Sequence, residues 1–551
     1  MARPLTSLIG IVAVAVAAWH LAPVVSSRQA SPGYDALVIL YNDMRASQRP
    51  VTGPDGVPDY RDATMQVSRA RLDELGRRLD AFDSRTWPRA QRVDHLLVLA
   101  QWRNYDFEHR VMRPWKRDPG FYVDQLQRLP LTDTPIPASQ IAAFRRQLAA
   151  VSTITAQAKA NLTEGASEHT KAAIRNMEQA DGVGHGFPYR AVPPAGVIGW
   201  YDDLIGRLGT AHPDLVASAQ TARAEAVAFR DWLKQNESRM NRPSGMGLDN
   251  YDYYQRFVRL MPYTSDDNLL LGQRELERGR AFLAIERWKN RTLPPLDPSP
   301  NREDYERRKQ DADQDIRRFI VEHEILTIPD YVKELKTNVP WIERPGGVRN
   351  FWEEIQFRDP RPDHVHAVIP GHGFDALVHR QDKRPIRGSF SDGGRTEGWA
   401  FYLEEMFLQA GLLDTRPRTK ELYYLFQVKR ATRTRAEVMM HANRFTVADA
   451  VRSMRENVEF LDDDVARVDA EIYLRRPAYG SGYQMGKLQI DQLLSDRYQQ
   501  LRNAFNLKQF HDEFLAAGTI PIALIRFEMV GDESQLGAFW KRVPDTVASG
   551  R

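Results

Sequence analysis

Apolar positions recur at helical spacing over most of this chain. From Arg61 to about Arg110 leucine, valine and aromatic residues return every three or four positions, with charged residues on the opposite face. That pattern predicts two helices broken near Trp87-Pro88. The same period returns from Ser139 to Lys159, from Ser167 to Gln179 and from His212 to Lys234. After a turn-rich break at Asn241 to Gly247, the stretch Asp267 to Trp288 reads as one continuous helix. Pro294, Pro295, Pro298 and Pro300 form the best candidate linker, followed by a highly charged helix from Arg302 to His323. Helices dominate again from Glu397 onward, including Glu421 to Ala442 and Val447 to Asn457. Two stretches fall outside this pattern. Arg113 to Pro119 predicts a rigid loop leading to Phe121 and Tyr122, and Val339 to Gly346 predicts short strands. No repeat of solenoid period is present. The chain is therefore expected to be mainly α-helical, with few strands.

The first residues change the picture from a purely helical body to an exported one. Arg3 supplies a positive start, Leu5 to Ala18 is almost wholly apolar, and Pro23, Ser26 and Ser27 offer a cleavage region near Ser27. The alternative is a retained anchor, since Leu5 to Val25 is about long enough to span a membrane. Either way the body is expected in the periplasm or outside the cell, with membrane contact only through that segment. The 551 residues include no cysteine, which excludes disulfides, a lipidated cysteine and a thiol nucleophile. With 42% apolar residues the chain is a folded globular protein. Its 76 basic and 73 acidic residues nearly cancel and alternate along the chain, which argues against a nucleic-acid surface.

Candidate chemistry gathers at His366-Ala367-Val368-Ile369-Pro370-Gly371-His372 and at Glu397-Gly398-Trp399-Ala400. A zinc hydrolase site needs two imidazoles, a third ligand and a carboxylate beside the metal-bound water. His366 and His372 are six apart, so an unbroken helix would turn through about 600° and leave them on different faces. Pro370 and Gly371 lie between them, and a helix distorted there can bring both to one zinc ion. The alternative is a pair of loop or packing histidines. Glu397 is the candidate third ligand, and Glu404 can orient an imidazole from behind. Their alternative is a solvated helix. His364, His379 and His441 add histidines nearby without implying a two-metal site.

These residues resemble the bacterial DUF885 family, which is related to zincin-type zinc peptidases. The family pattern is His-Glu-x-x-Pro-Gly-His, then Glu-Gly-Trp-Ala-x-Tyr-x-Glu. His366, Pro370, Gly371, His372, Glu397, Gly398, Trp399, Ala400, Tyr402 and Glu404 match it in order. Tyr483 to Leu488 resembles the family's Tyr-Lys-x-Gly segment, and Phe510-His511-Asp512 with Gly518 and Pro521 resembles its C-terminal signature. The resemblance implies a large multi-helical, zincin-like metallopeptidase fold with a central cleft. Residues 1–30 would then be the signal or anchor and 31–300 the helical first part. Residues 301–551 would carry the motifs, in one body with the preceding part.

The chain departs from that pattern around the site. Ala367 stands where the family has its glutamate, Ala478-Tyr479-Gly480 where it tends to have Pro-Gly-Gln, and Gly373 and Asp375 where histidine and glutamine are common. In the implied mechanism zinc activates water while the glutamate shuttles a proton, and losing that base removes roughly 10²- to 10⁴-fold in rate. Asp375 is a candidate substitute, with Glu404 or Glu405 as the alternatives. Tyr483 and His511 are candidates to stabilise the developing oxyanion, with a packing tyrosine and a capping histidine as alternatives. Arg526 is a candidate for holding a substrate carboxylate, or a surface ion pair. Trp115, Tyr122 and Arg113 are candidates for a remote wall of the cleft. Two functions follow: a zinc-dependent peptidase or amide hydrolase with a missing or relocated base, or a catalytically impaired relative that binds a peptide or protein partner.

Overall fold

Twenty-two α-helices and a few short 3-10 and π-helical turns build the computed structural model, which describes residues 31–53, 55–126, 134–180, 194–333, 335 and 339–543. The apolar segment at Leu5 to Val25 and the cleavage region near Ser27 lie outside the described residues. No described helix is long and apolar enough to cross a membrane.

The helical period translates into helices nearly where it predicts them. The first pair forms as Asp62–Asp80 and Arg89–Phe107. Ala138–Asn161, Ser167–Glu178 and Pro213–Asn236 follow. Ser265–Lys289 starts on a capping box between Thr264 and Asp267, and Arg302–Glu322 on the Asn301 side chain. Two expectations fail. The stretch from Arg113 is not a loop, because Pro114 and Pro119 open two short helices, Pro114–Arg117 and Pro119–Leu126. Proline's fixed φ suits the first helical position, where its missing N–H is not needed. The strands expected at Val339 to Gly346 are absent, and no strand occurs among the described residues beyond two isolated bridges. Val339 and Trp341 are apolar because they pack on Tyr305 and Phe357, while Pro345, Gly346 and Gly347 make a 3-10 turn. Without a neighbouring strand to accept its hydrogen bonds, such a segment stays a loop.

The largest apolar cluster joins distant parts of the chain. Leu37, Leu72 and Leu97 from the first helices share it with Val365 and Trp399, and with Phe514 and Phe539 near the end. A second cluster is local to residues 57–240, and a third draws on 276–283, 351–355 and 422–474. The proline-rich stretch at Pro294 to Pro300 is tied into this packing: Leu296 rests on the third cluster, and the Ser299 N–H donates to the Phe357 carbonyl at 2.7 Å.

The helices Gly393–Ala410 and Gly480–Leu501 approach each other main chain to main chain. A Cβ on Gly398 would sit 2.6 Å from the Gly486 Cα, and one on Gly486 would overlap the Gly394 carbonyl. Gly394 and Gly398 on one helix thus face Gly482 and Gly486 on the other, and side chains there would force the backbones apart. Gly398→Ala is expected to destabilise the protein by about 3 kcal/mol through overpacking, read as a lower urea midpoint.

Three histidines are buried away from the candidate site. His95 contacts Ser84 Oγ, His441 bonds the Tyr473 carbonyl, and His511 lies between Tyr402 and the Ile325 carbonyl. Burial lowers the pKa of each to about 4. The unfolded chain therefore binds protons that the folded one refuses between pH 6.5 and about 4, so stability rises with pH across that window. Each histidine contributes at most about 3 kcal/mol to this slope. Urea unfolding repeated from pH 7 to pH 4.5 is expected to show a steady loss of stability. A flat profile would contradict burial of the neutral rings.

Candidate metal site

The helix Arg361–Ala367 ends one residue after His366, and a new helix, His372–Arg380, begins at His372. Between them the chain turns through a cis Ile369–Pro370 peptide. Gly371 is obligatory in this turn, since a Cβ there would overlap the His366 carbonyl. The turn is anchored by the Trp399 indole N–H, which donates to the Pro370 carbonyl at 3.1 Å. Trp399 also lies two residues beyond Glu397, so the same helix that holds the turn presents the carboxylate to it. The distortion read at Pro370-Gly371 is thus a full break between two helices.

This arrangement brings His366, His372 and Glu397 together, each offering a ligand atom within 4.8 Å of the others. Glu397 Oε2 lies 3.1 Å from His372 Nε2 and 3.6 Å from His366 Nε2. The ligand-to-ligand edges of a tetrahedral zinc site are about 3.4 Å, given zinc–ligand bonds near 2.1 Å. The donor set therefore fits a zinc ion after small shifts. Burial opposes charge on Glu397, but the two imidazoles hold its carboxyl well below the usual range. Burial likewise opposes protonation of His372, and Glu397 overrides it to raise that pKa.

Support extends behind the first histidine. Glu404 Oε1 is 2.7 Å from His366 Nδ1, which leaves Nε2 to face Glu397. Arg430 pairs with the same Glu404 oxygen, and both side chains are almost fully buried. Tyr483 lies parallel to the His366 ring with centroids 6.3 Å apart, and the Arg433 guanidinium is 4.5 Å from the Tyr483 ring centroid. Burial, then Glu397, raises the Tyr483 pKa, so its phenol stays protonated.

The remaining candidates are placed elsewhere or already engaged. Asp375 is buried, and its Oδ2 accepts from the fully buried Arg395 at 2.5 Å. His511 is bonded elsewhere than to the three candidate ligands: its Nε2 is 2.9 Å from the Tyr402 hydroxyl, its Nδ1 2.7 Å from the Ile325 carbonyl, and it has no exposed surface. Arg526 is held by Asp496 at 2.7 Å and Asp532 at 2.6 Å. Trp115 and Tyr122 are core residues, the Tyr122 hydroxyl donating to the Trp115 carbonyl, and Arg113 pairs with Glu164. Asp375, His511, Arg526, Arg113 and Tyr122 each have a partner inside the fold other than the three candidate ligands.

Sequence reasoning missed Tyr479, whose hydroxyl donates to Glu397 Oε1 at 2.5 Å. It was visible only as a departure from the family pattern. Arg430 was missed too, because nothing in a 25-residue helix rich in basic residues singles it out.

Among solved structures, the chain is similar to a candidate lipoprotein of unknown function from Shewanella oneidensis at 17% identity. The match has a TM-score of 0.68 and covers 90% of this chain and 100% of the other. A candidate lipoprotein from Colwellia psychrerythraea is similar at 15% identity, with a TM-score of 0.65 and coverage of 90% and 99%. At these identities the likeness is one of fold. No curated protein matches the chain. The model of DUF885, described as a bacterial protein of unknown function, matches residues 364–529, a span that begins two residues before His366 and contains His372, Glu397 and Tyr483.

Proposed function

We propose that this chain is an exported zinc-binding hydrolase that acts slowly on peptide or other amide bonds, with a zincin-like fold and a cleft at the His366–His372–Glu397 site. The observation that carries the reading is the convergence of those three ligand atoms, with Glu404 and Arg430 behind His366. A buried carboxylate this close to an imidazole is suited to orienting a metal ligand. Bound there, zinc would polarise a substrate carbonyl and acidify a water. Tyr479 steadies the Glu397 carboxylate, and the protonated Tyr483 beside His366 is the group suited to donate a hydrogen bond to a developing oxyanion. The description of both similar structures as lipoprotein candidates supports export, although this chain has no cysteine to carry a lipid.

Slowness follows from Ala367. A methyl group cannot accept a proton, and Asp375 is committed to Arg395. The same two facts favour a second reading, in which the site binds a peptide or protein partner without cleaving it.

Metal analysis of protein purified under zinc-replete conditions is expected to find about one zinc per chain. Glu397→Ala should abolish it, and Glu404→Gln should weaken binding by about 10- to 100-fold. Absence of zinc from the unaltered protein would reject the assignment.

Turnover of a mixed peptide library is expected to be weak and zinc-dependent. Ala367→Glu should raise it by roughly 10²-fold or more by restoring a base. Zinc-loaded, folded protein that remains inert with and without the substitution would count for the binding-only reading.

A further inference from the structure

A cavity of about 660 Å³ opens between the helices Ser167–Glu178 and Asp463–Arg475 and the π-helical turn Glu108–Met112. Its walls include no residue of the histidine–carboxylate site, and the volume suits a compact organic ligand. Val111, Met112, Phe121, Trp200 and Ile472 make much of the lining apolar.

The charged groups on the walls are not equivalent. Arg475 is bonded to Asp118 and Asp124 at 2.7 Å each, Glu471 pairs with Arg175, and Arg117 donates to the Pro243 carbonyl at 2.8 Å. Arg476 is exposed, so water solvates it. Glu108 differs from all of them. It is partly buried and lines the cavity, and among the described residues its carboxyl has no hydrogen bond or ion pair. Burial alone raises its pKa. A carboxyl without a protein partner on a largely apolar cavity wall is poorly solvated, and an ammonium brought beside it would form a charge-assisted hydrogen bond. Glu108 opens the π-helical turn that ends at the left-handed Arg113 (φ 41°), and it sits on the cavity wall.

We infer that this cavity binds a molecule carrying a primary ammonium on an apolar body, with Glu108 receiving the ammonium. A peptide N-terminus and a free arylalkylamine share that chemistry.

Isothermal titration of the full chain with leucyl-phenylalanine amide, its N-acetyl derivative and phenethylamine tests the inference. At least one of the two amines is expected to bind saturably, and which one does identifies the source. Acetylation of the dipeptide amide, or Glu108→Gln with the binding amine, should weaken binding by about tenfold or more. Failure of both amines to bind overturns the inference. So does an acetylated dipeptide that binds as tightly as the free one, or an amine unaffected by Glu108→Gln in a variant with an unchanged melting curve. Should that variant not fold, phenethylamine against N-acetylphenethylamine and the dipeptide pair, measured on the unaltered protein, still decide the matter.

Discussion

Close approach of two backbones organises the candidate site. Where Gly394 and Gly398 meet Gly482 and Gly486, the Glu397 helix and the Tyr483 helix touch main chain to main chain. That contact brings Tyr479 and Tyr483 within reach of Glu397 and His366. The same Glu397 helix carries Trp399, which holds the Pro370 carbonyl and so fixes the turn between the two histidines. Separating the helices by the width of one methyl group would loosen the carboxylate, the tyrosines and the turn together.

Around this crossing the fold buries charge that it must compensate. His366, Glu404 and Arg430 form one buried chain, and Asp375 with Arg395 forms another. Removing one member of such a pair leaves an unpaired charge in a medium that solvates it poorly, which costs more than the intact pair contributes. These contacts are therefore better understood as devices for geometry than as sources of stability. The first holds an imidazole with Nε2 toward Glu397. The second ties Asp375, the carboxylate read from the sequence as a substitute base, to a guanidinium.

The Glu437 carboxyl shows the same logic at the start of the Tyr483 helix. It accepts from the Gly480 N–H and the Ser481 hydroxyl, and burial raises its pKa to about 7. A buried acid thus caps the helix that supplies Tyr483, and links it to the long helix bearing Arg430 and Arg433.

The sequence by itself determined most of the helices and singled out the candidate ligand residues. Apolar period is a local property, and His366, His372 and Glu397 were legible because the spacing and the Pro-Gly pair between the histidines are local too. Ala367 was equally plain. Tertiary structure decided everything that depends on who occupies whose hydrogen bonds. His511 and Asp375 have side chains chemically able to act, yet Tyr402, the Ile325 carbonyl and Arg395 had claimed them from far along the chain. Tyr479 gained its place on Glu397 by the reverse route, across 82 residues of separation. Val339 and Trp341 look like a strand but lack a partner strand, and packing on Tyr305 and Phe357 explains their apolar character instead. Residue type sets what a side chain can do, whereas long-range packing sets whether its donors and acceptors remain free to do it.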